Sequence, residues 1–342
     1  MLFTVHPLAA YALVGLGAAA YSPAKYGILT ELLPARQLVI ANGWIEGTTV
    51  ASIILGVVLG GLLISGPVAS WLLAFDLPKI ETGIDSPPEA AIAVIMGCYA
   101  IAALINWYIP DTGVDHRVAS KNPVYLIRAF GHCCALLWRD KLGQISLATT
   151  TLFWGAGATL QFIVIDWAAT HLCYNLSRAS MMQGIVAVGI ALGAALAALM
   201  VSLRSAVKVL PLGVLMGVVV IAMIAVNTLE SAIVLMTLIG AFAGFFVVPM
   251  NALLQHRGHV LMGAGHSIAV QNFNENIGVL VMLALYAVIV HVGLSTNAAI
   301  VLFGLFVAGA MALVMWRHRQ NLAAGDVMHL IVEHAEAKAG QV

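Results

Sequence analysis

The sequence predicts an all-α, polytopic membrane protein with nine transmembrane helices. Hydrophobic residues make up 62% of the 342-residue chain and charged residues only 9%, and mean hydropathy is +1.00. Apolar runs recur along the chain at about the twenty-residue length a helix needs to cross a bilayer. The runs are continuous rather than alternating, which argues against a transmembrane β-barrel.

Taken in order, the spans fall at 6–30, 38–65, 90–109, 146–168, 180–203, 208–227, 231–254, 264–292 and 296–316. The first contains "HPLAAYALVGLGAAA", which lacks a basic leader and reads as part of a span rather than a cleavable signal. The largest polar connection, 110–145, carries "NPVYLIRAFGHCCALLWRD". Asn122 and Pro123 there suit a helix cap and first turn. Val124, Ile127, Phe130 and Leu137 fall near one face. Two readings of this amphipathic helix stay open: it lies on the membrane surface, or it packs as a linker.

Lysine and arginine orient the spans. One side holds Arg36, Arg117, Lys121, Arg128, Arg139, Lys141, Arg204, Lys208, Arg257, Arg317, Arg319 and Lys338; the other holds Lys79 and Arg178. The C-terminus is therefore expected in the cytoplasm and, with nine spans, the N-terminus outside. Zero net charge gives no reason to expect a nucleic-acid partner. Cys98, Cys133, Cys134 and Cys173 show no metal-site or disulfide spacing and read as small apolar residues.

An internal repeat sharpens the architecture. Span one ends "AYSPAKYGILTELLP" and span two begins "ANGWIEGTTVASIILG"; span seven ends "FFVVPMNALLQHRG" and span eight carries "VQNFNENIGVLVMLAL". Pro23 then matches Pro249, Lys25 matches Asn251, and Glu46 matches Glu275. Since span seven is the fourth after the central connection, its partner should be a fourth span, yet it is the first. Restoring three helices gives six plus six, the parallel two-half plan of major facilitator transporters. The expectation is thus an incomplete N-terminal bundle (1–109), a cytoplasmic loop with its amphipathic helix (110–145), a six-helix bundle (146–316) and a cytoplasmic tail (317–342), as in a truncated chain.

"GAAAYSPAKYGIL", "FWGAGATL", "GFFVVPMNALLQHRG" and "AVQNFNEN" resemble the bacterial lysophospholipid transporter (LplT) family of the major facilitator superfamily. The resemblance runs from span one to span nine. It implies a twelve-helix fold entered at the fourth helix, in the bacterial inner membrane. It also implies a substrate class, lysophospholipids such as lysophosphatidylethanolamine. These would move inward for reacylation by an acyltransferase/acyl-carrier-protein synthetase, without a cofactor. Two departures stand in "TLQFIVIDW": family members commonly have arginine where Gln161 stands, and Asp166 adds an acid. His256 stands where "QERG" is the familiar form of "QHRG".

The candidate substrate-binding or gating residues are Lys25, Glu46, Gln161, Asp166, Asn251, Gln271, Asn272 and Glu275, with Pro23 and Pro249 as hinges. A charge inside a span is costly and marks function by default. Lys25 lies six residues before Glu31, about 9 Å of helix rise, so its stem can snorkel to the interface. Alternatively it faces a cavity and meets a phosphate or the Glu46 carboxylate. Pro23 frees backbone groups, which suits a bend. Gln271, Asn272 and Glu275 can share a helix face, either holding the bundle or lining a pathway. Asp166 reads as interfacial or embedded. Trp154 and Phe153 could line an acyl-chain path or face lipid.

Gly56/Gly60, Gly189/Gly193 and Gly240/Gly244 suit close helix approach. No serine elbow or H-E-x-x-H pattern is present, and His256 and His259 read as loop histidines, so the chain is not expected to be an enzyme. The competing readings are a major facilitator transporter of another amphipathic solute, with or without proton coupling, and an inactive remnant.

Overall fold

The structure is a computed structural model that describes residues 7–64, 66–74, 86–113, 122–174 and 176–325. Lys79, Arg117, Lys121 and Lys338 of the charge count lie outside these residues, as do residues 114–121 of the central connection and the tail beyond 325. The described residues contain helices and no strand. In order they are α1 (Pro7–Leu32), α2 (Leu38–Ile64), α3 (Gly66–Leu73), α4 (Pro87–Asn106), α5 (Pro123–Arg139), α6 (Gly143–His171), α7 (Leu176–Met200), α8 (Leu210–Ile221), α9 (Leu229–Met262), α10 (Ala264–His291) and α11 (Thr296–Ala323). Short 3-10 turns at Ala35–Gln37, Leu203–Val209 and Ala222–Ala225 join or extend them.

Among the described residues, seven helical segments are long and apolar enough to cross a membrane. They are Pro87–Asn106, Gly143–His171, Met182–Met200, Leu203–Ala225, Leu229–Met262, Ala264–His291 and Thr296–Ala323. Their ends follow from local chemistry. Ser86 and Glu89 form a capping box ahead of α4, with Ser86 N and Oγ both donating to Glu89 Oε2 at 3.0 and 2.8 Å. The α5 cap is the expected one: Asn122 Oδ1 accepts from Val124 N at 3.0 Å, and Pro123 occupies the first turn. Between α9 and α10 the chain turns at Gly263, whose φ of +84° favours a residue without Cβ.

Two sequence expectations change. The helix of span seven does not stop near 254; α9 runs on to Met262, so His256, Arg257 and His259 are helical and His256 and Arg257 are buried. The polar "QHRG" looks like a loop only until its partner is known. The second change is α3, a short helix inside what reads as a connection, started by Pro67 and closed locally by Ser70 Oγ donating to Pro67 O at 3.0 Å.

The chain divides into two units, Met1–Ala18 with Ala51–His116, and Ala19–Val50 with Arg117–Val342. In the first, α3 and α4 bury Ala69, Ala90 and Ala91, whereas Leu55, Leu59, Met96, Tyr99 and Leu104 are exposed. The second holds the main core, which includes Trp167, Phe246, Met236 and Ile239. Trp167 is fully buried and its Nε1 donates to Met223 O at 2.8 Å, satisfying a carbonyl in the 3-10 turn after α8.

Glycine seams set the helix spacing in this second unit. A Cβ at Gly189 would strike Thr237 O, one at Gly193 would strike Ala241 O, and ones at Gly240 and Gly244 would strike Val186 O and Ile190 O. α7 and α9 therefore touch backbone to backbone. Gly217 and Gly304 make a second seam between α8 and α11, and Gly155 with Gly278 a third between α6 and α10.

α5 combines features of both readings. Its N-terminal turn exposes Val124, Tyr125, Leu126 and Ile127. Its C-terminal half packs Phe130, Cys133, Cys134 and Leu137 around Leu147, Leu254 and Val270. Burial pushes both thiols above the ordinary cysteine pKa, as fits packing groups rather than nucleophiles.

Candidate functional site

Four helical segments within the second unit each present a polar or aromatic pair one turn apart. Ser22 and Tyr26 come from α1, Asn42 and Glu46 from α2, Asn251 and Gln255 from α9, and Gln271 and Glu275 from α10. The i, i+4 spacing puts both members of each pair on one face. All of them except Asn42 line one cleft of about 240 Å³, together with Trp154, Asn272 and Asn276.

Hydrogen bonds tie the pairs across helices. Asn251 Nδ2 donates to Glu46 Oε1 at 3.3 Å. Gln271 Nε2 donates to Asn251 Oδ1 at 3.2 Å and to Glu275 Oε1 at 2.8 Å. The two carboxylates are thereby linked through two amides. One turn along, Asn42 and Gln255 exchange bonds, Nδ2 to Oε1 at 2.8 Å and Nε2 to Oδ1 at 3.0 Å. Asn272 Nδ2 donates to Ser22 Oγ at 2.8 Å. Glu46 and Glu275 are 6% and 9% exposed, so both carboxylates depend on these donors.

The structure brings Glu46, Asn251, Gln271, Asn272 and Glu275 to one cleft. Lys25 is half-buried beside them, with Nζ 5.0 Å from the Tyr26 ring centroid. Among the described residues no ion pair within 4.0 Å joins Lys25 to Glu46. Pro249 sits within α9 just before Asn251, and Pro23 within α1 beside Ser22; both helices continue through them. Gln161 and Asp166 are elsewhere. Gln161 is exposed, and its backbone carbonyl accepts from Gln183 Nε2 at 3.1 Å. Asp166 is exposed and accepts from Thr296 Oγ1 at 2.6 Å, linking α6 to the start of α11.

Sequence reasoning missed Asn42, Gln255, Ser22, Tyr26 and Asn276. The signal was present: each of the first four stands four residues from another member of the cleft. It also missed a buried ion pair. Arg257 reaches Asp140, at the end of α5, with Nε to Oδ1 at 3.1 Å and Nη2 to Oδ2 at 2.6 Å. Asp140 Oδ1 also accepts from Gly143 N at 2.6 Å and Leu142 N at 3.2 Å, so one carboxylate starts α6 and anchors α9. Among the described residues no His/Cys/Asp/Glu group has a metal-binding arrangement.

A cleft of carboxamides and carboxylates between membrane-length helices is an arrangement for holding a polar group within apolar surroundings. Comparison with known proteins names the kind. Proteins called lysophospholipid transporter LplT from Yersinia pestis (strain Pestoides F) and from Yersinia pseudotuberculosis serotype O:3 (strain YPIII) are each 43% identical to this chain over 292 residues. That stretch is 85% of this chain and 67% of each relative. The chain belongs to the LplT family. No family model matches it. Membership supports the resemblance carried by the four motifs, and each of them supplies cleft residues: Ser22 and Tyr26, Trp154, Asn251 and Gln255, and Gln271 with Asn272 and Glu275.

Proposed function

We propose that the chain carries lysophospholipids across a bacterial inner membrane by alternating access, with the headgroup held in the cleft of Glu46, Asn251, Gln271 and Glu275. Family membership supports the substrate class. The observation that carries the site is the pair of buried carboxylates bridged by two amides. A lysophospholipid has one acyl chain and a compact polar headgroup; the cleft suits the headgroup, and the exposed apolar helix faces suit the chain.

In this reading α1 and α2, at 26 and 27 residues, join the seven segments above as spans one and two of a nine-span major facilitator fold. The bundles at 1–109 and 146–316 rock about the cleft, and Pro23 and Pro249 absorb the bending. The C-terminus is cytoplasmic, movement is inward, and the delivered lysolipid feeds an acyltransferase/acyl-carrier-protein synthetase. Lys25 tunes the field at Glu46 from half-buried depth. Gln161 and Asp166 act outside the cleft, at the ends of the path.

The test is uptake of lysophosphatidylethanolamine into proteoliposomes containing the full chain. Glu275→Ala should lower uptake about tenfold or more, the effect of losing one charge-assisted hydrogen bond. Lys25→Ala should lower it less, since it makes no ion pair with Glu46. Both variants should insert normally. Equal uptake by all three proteins would reassign these residues to packing. A second reading, proton-coupled transport of another amphipathic solute, is favoured by the two buried carboxylates; uptake of that solute and not of lysolipid would establish it.

A further inference from the structure

Three kinds of surface follow one another round α5. Its packed face is Phe130, Cys133, Cys134 and Leu137, set against Leu147 near the start of α6, Leu254 near the end of α9 and Val270 near the start of α10. About a quarter turn round the helix stand Val124, Ile127 and Trp138. All three are exposed, Val124 at 63% and Ile127 at 72%. About a quarter turn further stand Arg128 and Arg139, exposed and on one edge of the helix. α5 contains no aspartate or glutamate, and Asp140 just beyond it is held by Arg257. The order round the helix is protein, apolar, cationic.

α10 shows what lies against the apolar stripe. Phe130 meets the Phe273 ring edge to face at 5.2 Å between centroids, and Trp138 Nε1 donates to Asn274 Oδ1 at 3.1 Å. Phe273 begins an exposed apolar stripe on α10 that continues through Ile277 and Leu280. On a helix of membrane length, such a stripe is surface for acyl chains. α5 crosses α10 at the start of that surface, at the α9–α10 end of the bundle. With 17 residues, about 25 Å, and two arginines, α5 is too short and too charged to span a bilayer, and suits its interface.

We infer that α5 docks on an anionic bilayer surface: Val124, Ile127 and Trp138 enter the leaflet at the α9–α10 end of the bundle, and Arg128 and Arg139 bind lipid phosphates there. This is an interaction surface separate from the cleft, and it stands whatever solute the cleft takes. The apolar side chains gain by leaving water for hydrocarbon, and the arginine stems are long enough to keep their heads in the headgroup layer. A guanidinium takes a phosphate bidentately. Trp138 places an amphipathic ring at the same depth, where such rings are favoured. A zwitterionic surface offers phosphates without net charge, so two arginines with no acid beside them favour anionic lipid.

Hydrogen–deuterium exchange of the full chain in lipid nanodiscs tests the docking. Amides of residues 124–132 should exchange about twentyfold more slowly in discs containing phosphatidylglycerol than in discs of phosphatidylcholine alone, since each arginine near an anionic surface adds about fivefold. Arg128→Gln and Arg139→Gln should each remove about fivefold of that difference, and together bring it to within about twofold. Both side chains are exposed, so the variants should stay folded, with unchanged exchange in α9 as the control. Depth is read separately, from a fluorophore on Ile127→Cys in a chain whose native cysteines are alanine. Brominated lipid should quench it and aqueous iodide should not. The exchange measurement needs no cysteine replacement and decides the matter if that chain fails to fold. Equal exchange in the two kinds of disc would overturn the inference, as would a difference that survives the double variant. Quenching by iodide alone would put the apolar stripe in water, and quenching by neither would put it under protein; either result overturns lipid docking.

Discussion

The two units of this chain use the same sequence device differently. In the unit of Met1–Ala18 with Ala51–His116, Gly56 and Gly60 stand one turn apart on α2, and a Cβ at either would meet nothing within 4 Å. In the other unit, Gly189/Gly193 and Gly240/Gly244 have identical spacing and bring α7 and α9 into backbone contact. Polar contacts divide in a similar way. Ser86 and Glu89 cap α4 from three residues apart, whereas Arg257 and Asp140 are 117 residues apart and Asn42 and Gln255 are 213 apart. Spacing proposes a contact, and only a partner helix completes it.

The largest effect expected is at the long-range ion pair. Arg257→Ala leaves Asp140 nearly buried without its guanidinium, and losing one partner of such a pair costs about 3–5 kcal/mol. Detergent-solubilised protein should lose its folded fraction at a markedly lower temperature or denaturant concentration. Glu89→Ala, which removes a local cap in the other unit, should cost about 1 kcal/mol. Similar losses for the two variants would erase the distinction between local and long-range contacts.

Next in size is the same substitution at two glycines. Alanine is favoured over glycine within a helix by about 1 kcal/mol. Gly56→Ala should therefore stabilise slightly, since nothing obstructs the new methyl group. Gly193→Ala should destabilise by about 1–3 kcal/mol, because its methyl group runs into the Ala241 carbonyl. Opposite signs in unfolding measurements would sharpen the comparison. Matching signs would mean that the α7–α9 seam is looser than its geometry.

This contrast explains what could be read from the sequence. Helix length and apolarity announce themselves residue by residue, so α4 and α6 to α11 were legible as spans. Which face of each meets a neighbour was not, since a span that is apolar all round carries little periodic signal. Polar residues are the exception, because burying them demands a partner; that is why Glu46, Asn251, Gln271 and Glu275 could be picked out. Arg257 failed the same test for a physical reason. A lone arginine in "QHRG" resembles an interfacial charge, and the carboxylate that buries it arrives from the far end of α5. Gln161 and Asp166 are polar residues of one span that the structure leaves exposed and outside this cleft.

The smallest effect concerns the reciprocal amide pair of α2 and α9. Asn42 and Gln255 are 0% and 1% exposed and exchange two hydrogen bonds, yet hydrogen bonds between membrane helices contribute only about 0.6 kcal/mol on average and about 1.7 at most. The reason is that an unfolded segment in lipid also finds partners for its amides. Asn42 illustrates this, for its Nδ2 also donates to Leu38 O at 2.8 Å within its own helix. A double-mutant cycle of Asn42→Ala and Gln255→Ala should therefore give a coupling of roughly 0.6–1.7 kcal/mol, with each single change costing more than the coupling itself. A coupling near zero would mean that the pair is held in place by its neighbours, and that the close approach of Gly43 to Ala198 positions α2 instead.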